Sequence, residues 1–533
     1  MKLTRPPWIT IAAFAFIVAA GGWLRFQVAS HDLLWLDELH TGWVVDASGF
    51  SDIASRASDG NQTPFFFWIT YLLIQLPIQP ELALRLGSLL AGIALNVIAP
   101  IWVWRWFGSR LGALLTAALI ASNLDFIYYS TEARPYALIQ LLGLLQFGLF
   151  FRLLWPAFSK SSADESANLP SNIKPQILFA LLSLAMLYTH LTSAWLLVTE
   201  ALALAVCLFQ TPRLMRRIQL WLPAIMIICV GFLPFALVTH SIYSRRNNWE
   251  LVSSIPNLIT NNLPELLIVI LAPAFLLICH AIFIKQQPQF GARKRKQLGL
   301  ILLWALIPFS CVIGLTLTDV APLALRRYTL IGAAAIPIFA GCCTACFPSI
   351  WQRILLATLL FSSLIFTGYS LSPIVMNPFN QSGSLPHFRS ENWQTVIEKI
   401  NSESGNQESP VFLFANIIED ADAMESDDLR FQNYLLFPLS WPYSLKRTYP
   451  TVSAGPTLTA PHFRPTQIRK TLENEGCWVI VRGNKDLAER IGFELEMRVK
   501  NKMAENPATS PPPIQTQFYE TADSPVYLIS LTW

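Results

Sequence analysis

The residues best suited to chemistry in this sequence are charged groups set beside long apolar runs. Asp37-Glu38 stands inside Trp35-Leu36-Asp37-Glu38-Leu39-His40, two adjacent carboxylates flanked by Trp and Leu just beyond the first apolar run. Apolar neighbours favour the protonated form of a carboxyl, which suits one of the pair to take a proton from a reacting hydroxyl or amine. The plainer reading is an ordinary acidic surface pair. Glu132, Arg134 and Tyr136 fall together in Ser130-Thr131-Glu132-Ala133-Arg134-Pro135-Tyr136 at the start of another apolar run, and Arg326-Arg327-Tyr328 repeats the Arg and Tyr pairing. A guanidinium there can hold a phosphate through its planar fork. It can equally pair with a nearby carboxylate while the Tyr anchors a helix at a membrane surface. His190, between two apolar runs, is either a polar cap or a site residue, and His40 is a further candidate in the Asp37 segment.

These groups must be positioned by elements that are mostly apolar. Of 533 residues 53% are hydrophobic and only 14% charged, with 18 Trp and 34 Phe and a mean hydropathy of +0.43, against roughly a quarter charged in a soluble domain. That excludes a disordered chain and points to lipid as the solvent. A net charge of +4 is too small to imply nucleic acid. Seven of the 8 cysteines lie in apolar runs and only Cys477 lies in polar sequence, so they read as small buried hydrophobes and not as a disulfide or zinc framework. No Gly-rich phosphate loop, His-Glu-x-x-His or Gly-x-Ser-x-Gly is present.

Apolar runs of roughly twenty residues recur until Leu371 and then stop. With Lys2 and Arg5 placed inside, the positive-inside rule orders about eleven spans. The run Pro64 to Pro77 is too short to cross and reads as an interfacial helix, and Ile177 to Phe209 divides at Thr189-His190. The expected fold is a polytopic α-helical membrane protein: residues 1–371 transmembrane, 29–85 a first outer loop with interfacial helices, and 372–533 an extracytoplasmic α/β domain. The N-terminus is expected in the cytoplasm of a cell whose inner membrane holds the protein. In the tail, a helix at Trp393 to Ile400 and strands at Val411 to Ala415, Trp478 to Arg482 and Val526 to Leu531 are expected. Arg134, Arg245, Arg246, Arg326 and Arg327 fall outside against the charge rule, which points to an anionic ligand there. Lys285 to Lys296 is a cytoplasmic anchor, and Asp125 has no role that the sequence supplies.

The order of pieces carries a resemblance. Trp35-Leu36-Asp37-Glu38, then Thr63-Pro64-Phe65-Phe66, Leu84-Arg85-Leu86-Gly87-Ser88, Phe126 through Leu138 with its Tyr128-Tyr129 and Glu132-Ala133-Arg134-Pro135-Tyr136, and finally Arg327-Tyr328 resemble the C-fold integral membrane glycosyltransferases. The likeness is to bacterial members similar to family 39, the group of protein O-mannosyltransferases and lipid A aminoarabinose transferases. It is strongest from Trp8 to about Leu145. Departures from that pattern are Gln62-Thr63-Pro64, where members carry His-Pro-Pro or Lys-Pro-Pro, and Ser122-Asn123-Leu124-Asp125 in place of a Ser-Pro.

The resemblance implies transfer of a sugar from a polyprenyl-phosphate carrier to a lipid, glycan or protein acceptor on the outer side, with inversion. It implies Asp37 as base or acceptor-orienting group with Glu38 beside it, Glu132 as a second acidic position, and Arg134 and Arg327, with Tyr136 and Tyr328, at the carrier phosphate. No cofactor is implied with certainty, and whether a divalent metal assists is left open. The competing readings are a flippase of lipid-linked sugars, which would line a path at mid-depth with charge, and a non-catalytic scaffold with dispensable carboxylates.

Overall fold

The computed structural model describes residues 8–154, 173–209, 214–244, 254–282, 292–347, 349–366, 391–403, 409–415, 429–446, 451–453, 476–504, 513–520 and 524–532. In chain order its helices are α1 (Trp8–His31), α2 (Leu36–Val45), α3 (Phe50–Asp59), α4 (Phe65–Leu73), α5 (Pro80–Phe107), α6 (Arg110–Ser122), α7 (Leu124–Ser130), α8 (Tyr136–Leu154), α9 (Lys174–Thr189), α10 (Ala194–Phe209), α11 (Leu214–Ser244), α12 (Ile255–Asn261), α13 (Leu263–Ile282), α14 (Ala292–Leu317), α15 (Leu330–Ala333), α16 (Ala335–Thr344), α17 (Ile350–Phe366), α18 (Trp393–Ser402), α19 (Leu429–Ser440) and α20 (Lys485–Ala504). Single 3-10 turns occupy Leu191–Ser193 and Arg326–Tyr328. The strands are β1 (Val411–Phe414), β2 (Thr451–Ser453), β3 (Gly476–Arg482), β4 (Gln515–Glu520) and β5 (Val526–Thr532). The chain packs as two compact units: Met1–Ser30, Gly49–Ile78 and Arg85–Pro386 form one, and His31–Ser48, Gln79–Leu84 and His387–Trp533 form the other.

The first unit is all helix. Trp8, Ile9, Phe16 and Trp23 on α1 and Val230 and Leu233 on α11 are exposed, an apolar surface that is stable against lipid and not against water. The unit is a membrane body. Among the described residues four stretches, Trp8–His31, Pro80–Phe107, Tyr136–Leu154 and Lys294–Leu317, are long and apolar enough to cross, or five if the bent pair Trp221–Ala236 and Val238–Ser244 is one span. The expected count of eleven is not reached on length. The run from 111 to 129 is interrupted at Asn123, whose side chain turns back to accept the N–H groups of Asp125 and Phe126 and so starts α7. The run beginning at Tyr328 is likewise divided into a 3-10 turn, α15 and α16, while α9 and α10 are sixteen residues each. The short helix expected near 64–77 is present as α4, nine residues long.

Several polar side chains inside the bundle bond to one another or to carbonyls, since lipid offers no other partner. Trp304 on α14, fully buried, stacks on Phe147 at 4.4 Å and donates Nε1 to the Ile331 carbonyl at 2.8 Å. Gln146 on α8 donates Nε2 to Ser183 on α9 at 3.1 Å and to Glu200 on α10 at 2.8 Å. Arg25 on α1 caps the C-terminus of α6 by donating to the carbonyls of Ile120 at 2.6 Å and Ala121 at 3.4 Å.

Helices α6 and α16 meet backbone to backbone. A Cβ on Gly112 would strike the Gly341 carbonyl, and one on Gly341 would strike Thr116. Ser109 Oγ lies 2.9 Å from Thr344 Oγ1, and Thr116 Oγ1 donates to the Pro337 carbonyl at 3.0 Å. The register is antiparallel, so each step along α6 toward its C-terminus is a step toward the start of α16.

The second unit is a five-stranded sheet in the order β2-β1-β3-β5-β4, with β1 parallel to both β2 and β3 and β5 antiparallel to both β3 and β4. The central strands Val411-Phe412-Leu413-Phe414 and Cys477-Trp478-Val479-Ile480-Val481 are continuous apolar runs because both faces are buried. Helix α20 covers one face with Leu487, Ile491, Leu495 and Val499 against Phe412, Val479 and Ile529. Helix α18 buries Trp393, Val396, Ile397 and Ile400. The three expected strands and the helix at Trp393 are present. Strands β2, three residues, and β4, an edge strand of mixed polarity, were not expected because neither prints a run or an alternation. Helix α2 also belongs to this unit: Trp43 packs on Tyr434 at 4.9 Å, and a Cβ on Gly42 would come within 2.8 Å of the Trp441 ring.

Candidate active site

In the helical unit, three connections far apart in sequence bring their polar side chains together. The first is the turn 131–135 between α7 and α8, where the Arg134 N–H donates to the Glu132 carbonyl at 2.7 Å and Ser88 Oγ on α5 donates to the Arg134 carbonyl at 2.7 Å. Glu132, Arg134 and Tyr136 are all buried. The second is the break between α9 and α10, where His190 takes an extended conformation and ends α9. The third is the 3-10 turn Arg326–Tyr328.

Aromatic rings connect the three. Tyr136 lies 5.2 Å from Tyr129 and 5.6 Å from His190, and His190 lies 5.9 Å from Tyr328, all between ring centroids. The Arg327 guanidinium sits 5.3 Å from the centre of the Tyr328 ring. The charges of Arg327, Arg134 and Glu132 all act on Tyr136. Two guanidinium groups and one carboxylate are thus gathered around a group of Tyr and His rings.

His190 has a defined protonation state. Burial, and then the positive charges of Arg327 and Arg134, push its pKa down to about 3, so the ring is neutral at physiological pH. Its Nδ1 accepts the Thr192 backbone N–H at 3.3 Å and lies 2.8 Å from Thr192 Oγ1. A backbone N–H only donates, so the ring proton sits on Nε2. His190 is therefore a hydrogen-bond donor beside two arginines, and not a base.

Arg326 differs from its neighbour. It is buried and pairs through Nε with Asp125 at 2.7 Å, while its Nη1 donates to Asn262 and reaches Thr329 Oγ1 at 3.3 Å. This charge on the unexpected side is answered by protein, which corrects the expectation that Arg326 marks an anionic ligand. It also accounts for Asp125, to which the sequence supplies no role. Arg245 and Arg246, the segment 285–291 and the boundary at 371/372 lie outside the described residues.

In the α/β unit, Asp37, Glu38 and His40 lie on α2. Glu38 is fully buried and its Oε2 accepts the Trp35 N–H at 3.4 Å, the glutamate half of a capping box at the start of the helix. Asp37, one residue earlier, is half-buried. His40 is buried, with its ring 4.8 Å from Tyr434 and stacked on Trp43 at 5.8 Å. Sequence reasoning missed Glu391, whose Oε2 accepts the Leu36 N–H at the start of the same helix at 2.8 Å; nothing near it in sequence signals this. Among the described residues no three His, Cys, Asp or Glu side chains gather as metal ligands would.

No protein-family model matches the sequence. No curated protein matches it. Among solved structures, the chain is similar to the Archaeoglobus fulgidus oligosaccharyltransferase tethered with an acceptor peptide, at 10% identity and a TM-score of 0.47 over 89% of this chain and 69% of that one. It is also similar to ArnT from Cupriavidus metallidurans, bound to undecaprenyl phosphate (12% identity, TM-score 0.48) and in the apo state (13%, 0.46), each over 98% of this chain and 97% of the other.

Proposed function

We propose that this protein is a membrane glycosyltransferase that moves a monosaccharide from a polyprenyl-phosphate carrier to a hydroxyl- or amine-bearing lipid, glycan or protein, on the extracytoplasmic side of an inner membrane that the chain spans about eleven times. The observation that carries the reading is the convergence of Arg134 and Arg327 on the Tyr136, His190 and Tyr328 rings, with Glu132 beside them. A phosphodiester that joins a lipid to a sugar needs a cationic clamp with planar donors, and aromatic walls suit a sugar ring. Arg326 is excluded from the clamp because Asp125 already answers its charge.

In this reading the acceptor oxygen or nitrogen attacks the anomeric carbon and passes its proton to a carboxylate, the role that the family resemblance gives to Asp37. The new bond to C1 forms as the C1–O bond to phosphate breaks, inverting the centre. The electron pair leaves with the polyprenyl phosphate, whose added negative charge Arg134 and Arg327 offset, with the His190 Nε2–H as a neutral donor. Glu132 counters positive charge that develops on the sugar. Glu38 closes the cap of α2 and takes no part in proton transfer. No step is routed through a metal.

The test uses the full chain in proteoliposomes with radiolabelled undecaprenyl-phosphate glucose, mannose and aminoarabinose and a membrane extract as acceptor. Transfer of label from carrier to acceptor is expected with one donor. Label that crosses the bilayer while staying on its carrier would establish the flippase instead, and neither outcome would leave the scaffold.

A further inference from the structure

Helix α2 begins at Leu36, and a helix leaves its first N–H groups without partners inside the helix. One N–H at this end is answered locally, with Glu38 accepting the Trp35 N–H. The Leu36 N–H has no such neighbour. It donates to Glu391 Oε2, 355 residues further along, at 2.8 Å. The same oxygen accepts Trp393 Nε1 at 2.9 Å, and Oε1 pairs with Arg482 Nε at 2.7 Å. Glu391 is 6% exposed. Both oxygens of one buried carboxylate are therefore spent on three donors from three places: the first residue of α2, the first residue of α18 and the last residue of β3.

The charge balance is specific. Asp37, Glu38 and Glu391 bring three carboxylates to one helix end, where negative charge is favoured, but where a bare Glu391 would also repel Asp37. Arg482 offsets Glu391 at the far oxygen. The side of α2 away from its start is held by packing of His40 and Trp43 on Tyr434. Packing of this kind fixes where the helix lies, and the N–H groups of its first turn depend on the acceptors gathered at its start. That first turn carries Asp37.

We infer that Glu391 is a positioning residue for Asp37, and that a function of the C-terminal α/β fold is to pin the first turn of α2 through this carboxylate. The inference rests on the assignment of Asp37 as proton acceptor. It gives the tail a task other than covering a site or binding the acceptor. Glu391 touches no reacting atom and acts only through the Leu36 N–H.

The experiment compares the full-length protein with Glu391→Gln and Glu391→Ala variants in detergent. Gln keeps an oxygen for the Leu36 N–H, whereas Ala removes it. Turnover with the donor that supports transfer should fall roughly 10- to 100-fold in the Ala variant, the scale of one lost charge-assisted bond, with donor KM unchanged, and Gln should restore most of it. Backbone hydrogen exchange should quicken at residues 36–39 in the Ala variant and stay slow in β3 and β5, which also reports that the sheet is folded. If the Ala variant does not fold, the same exchange comparison is made with Glu391→Gln, where a smaller acceleration confined to 36–39 is expected. Unchanged exchange at 36–39 in a folded variant overturns the pin. Full turnover in Asp37→Asn overturns the assignment of the base, and the exchange result then still decides the pin by itself.

Discussion

The cationic cluster of the helical unit and the first turn of α2 both fix charged groups in place, and they do so by opposite routes. Arg134, His190 and Arg327 come from three connections, each held by its own helix ends, and rings lie between them. Glu38 is fixed by its own helix, three residues from the N–H it caps, and a single remote carboxylate completes the end. The cluster should therefore tolerate loss of any one member with a graded effect. The helix end should respond sharply to changes at a few atoms.

The sharpest test of that contrast is Asp37→Asn, which keeps shape and loses the basic oxygen. Turnover should fall by a factor on the order of 10² to 10⁴ with binding of undecaprenyl phosphate retained, and Glu38→Gln should cost less. A loss of that size with Glu38→Gln alone would move the base to Glu38, and near-normal turnover in a folded Asp37→Asn protein would remove the role from Asp37. Next in size, Arg134→Ala or Arg327→Ala should weaken undecaprenyl phosphate binding by about 1.5–3 kcal/mol, the scale of a hydrogen bond to a charged group. Lys should rescue only in part, lacking the fork. Unchanged affinity in both Ala variants would dissolve the clamp.

Asp125→Asn sharpens the distinction between the adjacent arginines. It should lower thermal stability, since Arg326 loses its counter-charge, and should reduce lipid affinity less than Arg327→Ala does; a larger affinity loss would place Arg326 in the clamp. The smallest effect expected is one of pH. With the His190 pKa at about 3 against an ordinary 6.5, the unfolded chain binds the proton more readily between those values. Stability from this residue is thus full above pH 6.5 and is lost as pH falls toward 3. A phosphate between Arg134 and Arg327 would offset the charges that help depress it, so bound undecaprenyl phosphate should move the His190 titration upward in ¹⁵N-histidine spectra. No upward movement would argue against an anion near the ring.

How much of this was legible follows the same division. The pair at 37 and 38, the break at His190 and the short helix α4 all print in a window of a few residues, because a cap, a helix end and an apolar run are local events. The arginine turns were visible as charges beside apolar sequence, but their meeting was not. The Asp125 to Arg326 pair spans 201 residues and the Leu36 to Glu391 bond 355, and in a single chain no spacing rule reaches so far. That limit also produced the one misjudged charge, since Arg326 and Arg327 are alike until their partners are known.

The close approach of α6 and α16 has a consequence for how this sequence can drift. Position 112 lies thirteen residues before Asp125, about 20 Å along the helical path, and touches nothing in the aromatic cluster. Yet an added methyl at Gly112 or Gly341 would collide with the facing helix and force α6 and α16 apart. Descendants that keep these two helices in contact should therefore keep glycine at 112 and 341. The heritable constraint on the packing of the helical unit would then be written in two glycines that do no chemistry.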